Sequence, residues 1–225
     1  MCCHRLLTWA LPEPQRGRST NGVTGKREQE LERKWGRLAG VAKFLSDDPR
    51  STTVWAQGSV GERILADHLS KTLGDRAVAL HDRKVPGTRG NIDHIVVAPT
   101  GVWVIDTKRW SGRVERRDVG GWFKIDQRLY VRGRDRSKAI EGMAWQIEAV
   151  AGVLKVAGLE LPLRAALCFV EAEWGFFAKP FELKGVRVSG PKSLAAAISD
   201  GSSLKPDEVL EVARILATAL PSKAS

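Results

Sequence analysis

"NIDHIVVAPTGVWVIDTKRW" spans Asn91 to Trp110. Two runs of β-branched and apolar residues flank Pro99-Thr100-Gly101, the pattern of two strands joined by a tight turn. Asp93 stands near the start of the first run, Asp106 and Lys108 near the end of the second. Successive strand residues point to opposite faces, so Asp106 and Lys108 share one. The turn decides whether Asp93 joins them. A two-residue loop through Pro99 and Thr100 places Asp93 opposite Asp106, whereas a three-residue loop sends it to the other face. Turn chemistry leaves both open. By alternation His94 faces away from Asp93 and reads as a packing or hydrogen-bonding residue.

Two carboxylates on one face repel, so one takes a proton or a cation sits between them. A hard divalent ion, Mg²⁺ or Mn²⁺, favours such oxygen ligands and keeps positions open for water and phosphate. Lys108 is a point charge that can orient a water or stabilise charge developing on a phosphate. Together these groups suit metal-assisted hydrolysis of a phosphodiester.

Composition agrees with an anionic partner. The chain has 225 residues, a net charge of +10 and a pI near 9.9. Nucleic acid is the first partner this implies and an anionic membrane surface the second. No apolar run approaches the ~20 residues of a membrane helix, and "LLTWAL" near the start is too short for a secretory apolar region. Cys2, Cys3 and Cys168 form no disulfide framework, which fits a reducing cytoplasm. His4 beside the first two cysteines has no second spaced ligand pair, so no zinc site is read there. No zinc finger, RRM signature or P-loop appears, so nothing points to sequence-specific readout.

Working outward, residues 1–25 read as a disordered basic tail and 26–56 as a helix and linker. Leu31, Trp35, Leu38, Val41 and Leu45 carry the helical spacing over 26–45. A core follows over 57–158, and 159–225 adds a strand and helix extension that completes the same domain. "SVGERILADHLSKTLG" (59–74) is a helix whose Ser59 and Glu62 have capping-box spacing. "AVALHDRKV" (77–85) is a strand, and "GWFKIDQRLYV" (121–131) a strand pair or meander. "SKAIEGMAWQIEAVAGVLKVAG" (137–158) is a helix. "LRAALCFVEAE" (163–173) is a strand covered on both faces. "GVRVSG" (185–190) is a further strand, and two helices, each opened by proline, close the chain. This order predicts an α/β fold with a central mixed sheet flanked by helices.

"GSVGERILADHL", then "NIDHIVVAPTGVWVIDTKRWSGRV", then "AWQIEAV" resembles the nuclease-related domain family, NERD, a branch of the PD-(D/E)xK nuclease superfamily. The later "LCFVEAEWGFF" and "GVRVSGPKSLAAAI" resemble the family's C-terminal part. The resemblance implies a restriction-endonuclease-like fold and a metal-dependent nuclease. It implies that Asp93 and Asp106 hold the metal with the Thr107 carbonyl as a third oxygen. Lys108 would position or activate the water. Glu62 would add a carboxylate to the metal's water shell or to a second ion, and Gln146 would lie across the site to support the lysine or substrate. The family usually has Glu where this chain has Asp106. From the residues alone, Glu62 reads equally as a capping-box partner, and Gln146 as a polar residue on an amphipathic helix.

Residues 108–138 hold eleven Lys or Arg against four acids, interleaved with Trp110, Trp122, Phe123 and Tyr130. Arginines neutralise phosphates, and exposed aromatics can stack on unpaired bases. Arg109, Arg113, Arg116, Arg117, Arg132 and Arg134 are therefore expected to bind nucleic acid, DNA ahead of RNA. The rival expectation is a non-catalytic nucleic-acid-binding or protein-interaction module on the same fold.

Overall fold

The hairpin over Asn91–Lys108 sits inside a six-stranded sheet. The computed structural model describes residues 60–122, 124–174 and 179–222. The expected basic tail, the helix over 26–45 and Ser59 lie outside the described residues. Helix α1 (Val60–Leu73) comes first, then β1 (Val78–Lys84), β2 (Asn91–Ala98) and β3 (Gly101–Lys108). After a smaller sheet come α2 (Lys138–Glu141), α3 (Met143–Val156) and β7 (Leu163–Phe169). The chain closes with β9 (Phe181–Leu183), β10 (Val186–Ser189), α4 (Pro191–Ser199) and α5 (Pro206–Ala219).

The large sheet has the order β1-β2-β3-β7-β10-β9. β3 and β7 run parallel, as do β7 and β10, while the outer pairs are antiparallel. This is the mixed sheet expected of the α/β reading. β7 is buried on both faces from Ala165 to Phe169, as its apolar run predicted. α1 and α4 cover one face, with Leu65, Leu69, Leu194 and Ile198 packed on Val96, Ile105 and Ala166. α3 and α5 cover the other, with Met143, Val150, Val212 and Leu216 packed around Ile95, Val104 and Leu167.

The turn is a two-residue one. Ala98 pairs with Gly101, and Pro99 and Thr100 form the loop. Gly101 has φ +115, and a Cβ there would lie 2.3 Å from the Pro162 carbonyl oxygen. Only glycine meets both demands without strain. At the opposite edge, buried Arg83 of β1 donates to the carbonyls of Ala217 (2.8 Å) and Leu220 (2.6 Å) at the end of α5. A cation there also complements the helix C-terminus.

The small sheet has the order β6-β5-β4-β8, from β4 (Gly112–Asp118), β5 (Gln127–Val131), β6 (Arg134–Asp135) and β8 (Ala172–Glu173). Only the β5 part of the meander expected over 121–131 is a strand. Residues 119–126 form its connection to β4, tied by Asp118 Oδ1, which accepts the N–H of Gly120 and of Asp126 at 2.9 Å each. β4 was not foreseen because "GRVERRD" shows no alternation of apolar residues: Val114 is its one buried side chain. The helix expected over 137–158 is divided at Gly142, and the strand expected over 163–173 ends at Phe169 with β8 beyond it.

Candidate active site

The β2–β3 register runs from Ala98↔Gly101 to His94↔Ile105. One step further places Asp93 opposite Asp106. Cross-strand partners share a face, so both carboxylates lie on the face of Ile95, Val97, Val102 and Val104, towards α3. His94 and the Thr107 side chain take the opposite face, towards α1. There His94 Nε2 lies 3.0 Å from Thr107 Oγ1, and His94 Nδ1 lies 2.7 Å from His81 Nδ1. His81 was not foreseen; its signal emerges only once β1 is paired with β2, which sets it directly opposite His94.

The ladder stops at His94–Ile105, and the next β3 amide that faces β2 finds a different partner. The backbone N–H of Thr107 donates to Asp93 Oδ2 at 3.0 Å. A strand residue's N–H and C=O project to the same side. The Thr107 carbonyl is therefore directed towards the β2 side that Asp93 occupies. Lys108 Nζ meets Asp106 Oδ1 at 2.6 Å as an ion pair.

Burial pushes the Asp93 carboxyl up from 3.8 to about 7, and the charges of Asp106 and Glu62 push in the same direction. The Thr107 amide and Lys108 oppose them. A carboxyl held that far above its ordinary range by burial and a facing carboxylate is the environment a hard cation relieves. Among the described residues no three His, Cys, Asp or Glu side chains gather closely enough to hold a metal by side chains alone. The available donor set is two carboxylates and a backbone carbonyl, which fits an ion that retains several waters.

Glu62 lies in the first turn of α1. That turn is seated against the end of β3 because Gly61 lacks a side chain: a Cβ there would lie 3.2 Å from Arg109 Cβ and 3.3 Å from Val170 Cγ2. Glu62 is thus near enough for its charge to act on Asp93, without joining a three-acid cluster. Gln146 lies on the buried stripe of α3 with Met143, Val150 and Leu154. Among the described residues its buried Oε1 has no partner, and its Nε2 makes only a long contact to Met143 Sδ at 3.9 Å. A cavity of about 710 Å³ opens between α1 and α4, lined in part by His68, Lys71, Trp174 and Lys192. Neither Asp93 nor Asp106 lines it, so the carboxylates occupy a separate surface at the strand ends.

The six arginines divide into two groups. Arg109 pairs with Glu171 at 2.5 Å, while Arg113 and Arg117 share Glu115 at 3.0 and 2.5 Å. These exposed pairs hold weakly and can exchange for phosphate. Arg116, Arg132 and Arg134 form no ion pair among the described residues, although Arg116 lies 5.7 Å from the Phe181 ring. Among the described residues no helix is long and apolar enough to cross a membrane.

No curated protein and no solved structure matches the chain. The model of the nuclease-related domain family matches residues 57–170, just over half of it, and that span contains the whole hairpin, α1 and α3. By that match the chain belongs to the nuclease-related domain family, NERD.

Proposed function

We propose that the chain is a divalent-metal-dependent nuclease that hydrolyses phosphodiester bonds, with DNA ahead of RNA as substrate. The observation that carries this reading is the shared face of Asp93, Asp106 and Lys108, with Asp93 tied to the Thr107 amide. Family membership supports it. Asp93, Asp106 and the Thr107 carbonyl would hold Mg²⁺ or Mn²⁺, with Glu62 directed to its water shell. Such an ion, when bound, polarises a phosphoryl oxygen and lowers the pKa of a bound water.

The chain's own groups do the rest. The Asp106 carboxylate fixes the Lys108 ammonium at the strand end. Lys108 orients the attacking water and offsets charge that builds on the phosphate oxygens. The Gln146 Oε1, without a partner among the described residues, can accept a hydrogen bond from the lysine or from a water, which would satisfy a buried oxygen. The arginines of the small sheet hold the backbone on either side of the cleaved bond.

The test is incubation of purified protein with labelled single- and double-stranded DNA and RNA, in Mg²⁺, Mn²⁺ or EDTA. Cleavage is expected with metal and none in EDTA. Asp106→Asn and Lys108→Ala should each lower the rate on the order of a hundredfold or more, given several kcal/mol of lost charge stabilisation at ~1.4 kcal/mol per tenfold. Binding in EDTA should survive both changes. If both variants cut as fast as wild type, the activity is not from this site, and a non-catalytic binding module replaces the nuclease reading.

A further inference from the structure

Trp110 follows β3 by two residues, and its ring packs on Phe169 with centroids 6.0 Å apart. Two cations converge on that ring. Lys108 Nζ lies 5.7 Å from its centroid and the Arg136 guanidinium carbon 4.7 Å. An indole face attracts a cation, and two cations on one ring repel each other. Lys108 is balanced by Asp106. Arg136 is not balanced in this way: it forms no ion pair among the described residues.

Arg116, Arg132 and Arg134 share this lack of an ion pair among the described residues but lie exposed, whereas Arg136 is half-buried. Arg128 on the same small sheet is tied to Asp126 and Asp135, and Arg113 and Arg117 to Glu115. Asp135, adjacent to Arg136 in the chain, is engaged by Arg128 and by the Ser137 amide. The Arg136 Nε is buried and has no hydrogen-bond acceptor among the described residues. The side chain is half-buried, so an entering anion meets the outer edge of the guanidinium, gains a charge-assisted hydrogen bond there and screens two cations held on one ring. The backbone at Arg136 is held, its N–H donating to the Leu129 carbonyl at 2.8 Å. A planar fork on a fixed base, over the ring that also holds the lysine, matches the two non-bridging oxygens of a phosphodiester.

We propose that Arg136 is a phosphate-binding residue of the substrate site, held on the same Trp110 ring as Lys108 so that its guanidinium takes a non-bridging oxygen of the nucleic-acid backbone. The proposal rests on the nuclease reading for the identity of the substrate. Its test does not depend on cleavage. Affinity of a fluorescein-labelled DNA oligonucleotide is measured in EDTA across salt concentrations for wild type, Arg136→Gln and Arg136→Lys, with a thermal melt of each. Arg136→Gln should bind about tenfold more weakly and lose about one unit of salt slope. Arg136→Lys should keep the slope but bind more weakly than wild type, because it lacks the fork. The melting temperature of Arg136→Gln should equal or exceed that of wild type. Unchanged affinity and slope overturn the proposal, even where wild type cuts DNA. A lowered melting temperature in both variants, with affinity lost in step, overturns it in favour of a purely structural arginine. If no metal supports cleavage by wild type but Arg136→Gln still loses affinity and slope, the nuclease reading falls and the phosphate contact stands.

Discussion

The Asp93 carboxylate takes the backbone N–H of Thr107 at 3.0 Å, so an acid on one strand caps its neighbour where the ladder between them ends. That single bond only partly offsets burial and the facing Asp106 charge, which together hold the carboxyl near pH 7. The folded value lies above the ordinary 3.8, so the stability Asp93 contributes is full below about pH 4 and is lost as pH rises through 7. Asp93→Asn removes that loss. In EDTA at pH 8 the variant should melt at a higher temperature than wild type, and the difference should shrink towards zero at pH 4. Divalent metal should raise the melting temperature of wild type at pH 8 and not that of the variant. Equal melting temperatures in EDTA at pH 8 would show that the two carboxylates are not in conflict.

A second pH dependence runs the other way. Burial and then Arg83 lower His81 to about 4; burial and then His81 hold His94 well below its ordinary value. Their facing Nδ1 atoms, 2.7 Å apart, accommodate one proton between them. A depressed histidine contributes stability that is present at neutral pH and lost as pH falls from 6.5 through about 4. In wild type this slope opposes that of Asp93 over much of the same window. Asp93→Asn should therefore expose a fall in melting temperature between pH 6.5 and 4, and adding His81→Gln should flatten it. An unchanged slope in the double variant would assign the acid sensitivity to other groups.

Trp122 is wholly exposed at the tip of the β4–β5 connection, with Ile125 77% exposed and Lys124 between them. An exposed indole on a basic hairpin can stack on an unpaired base, worth roughly 1–3 kcal/mol. Trp122→Ala should leave the melting temperature unchanged, weaken single-stranded DNA binding about tenfold and leave duplex affinity nearly untouched. Neutralising Arg116, Arg132 and Arg134 together should reduce the salt slope by about one unit per lost phosphate contact, for both kinds of strand. Binding titrations distinguish the two effects. Loss of equal size on single strands and duplex in Trp122→Ala would exclude stacking.

Gly101 and Gly90 offer a paired test of the frame beneath the site. Gly101→Ala meets a carbonyl oxygen at 2.3 Å and a φ of +115, neither of which can yield cheaply. A loss of about 2 kcal/mol or more is expected in urea unfolding. A Cβ at Gly90 meets the Trp145 ring at 2.6 Å, but that side chain is 38% exposed and can swing aside. Gly90→Ala should cost clearly less. If the two losses are equal, the Pro162 contact is not what restrains the turn.

The sequence made the hairpin legible because two signals agree: β-branched residues at the strand positions and a proline-glycine turn. The acids stood out because carboxylates are costly where the pattern asks for core residues. The size of the turn was the open question, since both loop lengths suit Pro-Thr-Gly, and the neighbour that requires glycine at 101, the Pro162 carbonyl, lies some sixty residues away. β4 was invisible because a strand with one buried side chain reads as a charged loop. Arg136 looked like one more basic residue in a crowded run; its distinction is a buried Nε and a place over the Trp110 ring, which only tertiary placement reveals. Gln146 was legible as a polar residue on an apolar stripe, but its unpartnered oxygen was not.

The latch at Arg83 has a kinetic consequence. The acids and lysine of the site come from one hairpin, whose pairing closes a loop of two residues. Arg83 instead joins positions 137 and 134 residues away. Local pairings form before distant ones because they restrict less chain. The carboxylate platform should therefore assemble early, and the β1 edge be sealed last. Arg83→Leu is then expected to speed unfolding while barely changing the folding rate, a split that a denaturant chevron reads directly. Until α5 docks, the β1 edge would stand open to strand-to-strand association, and that helix with Pro221 and Ser222 acts as its guard.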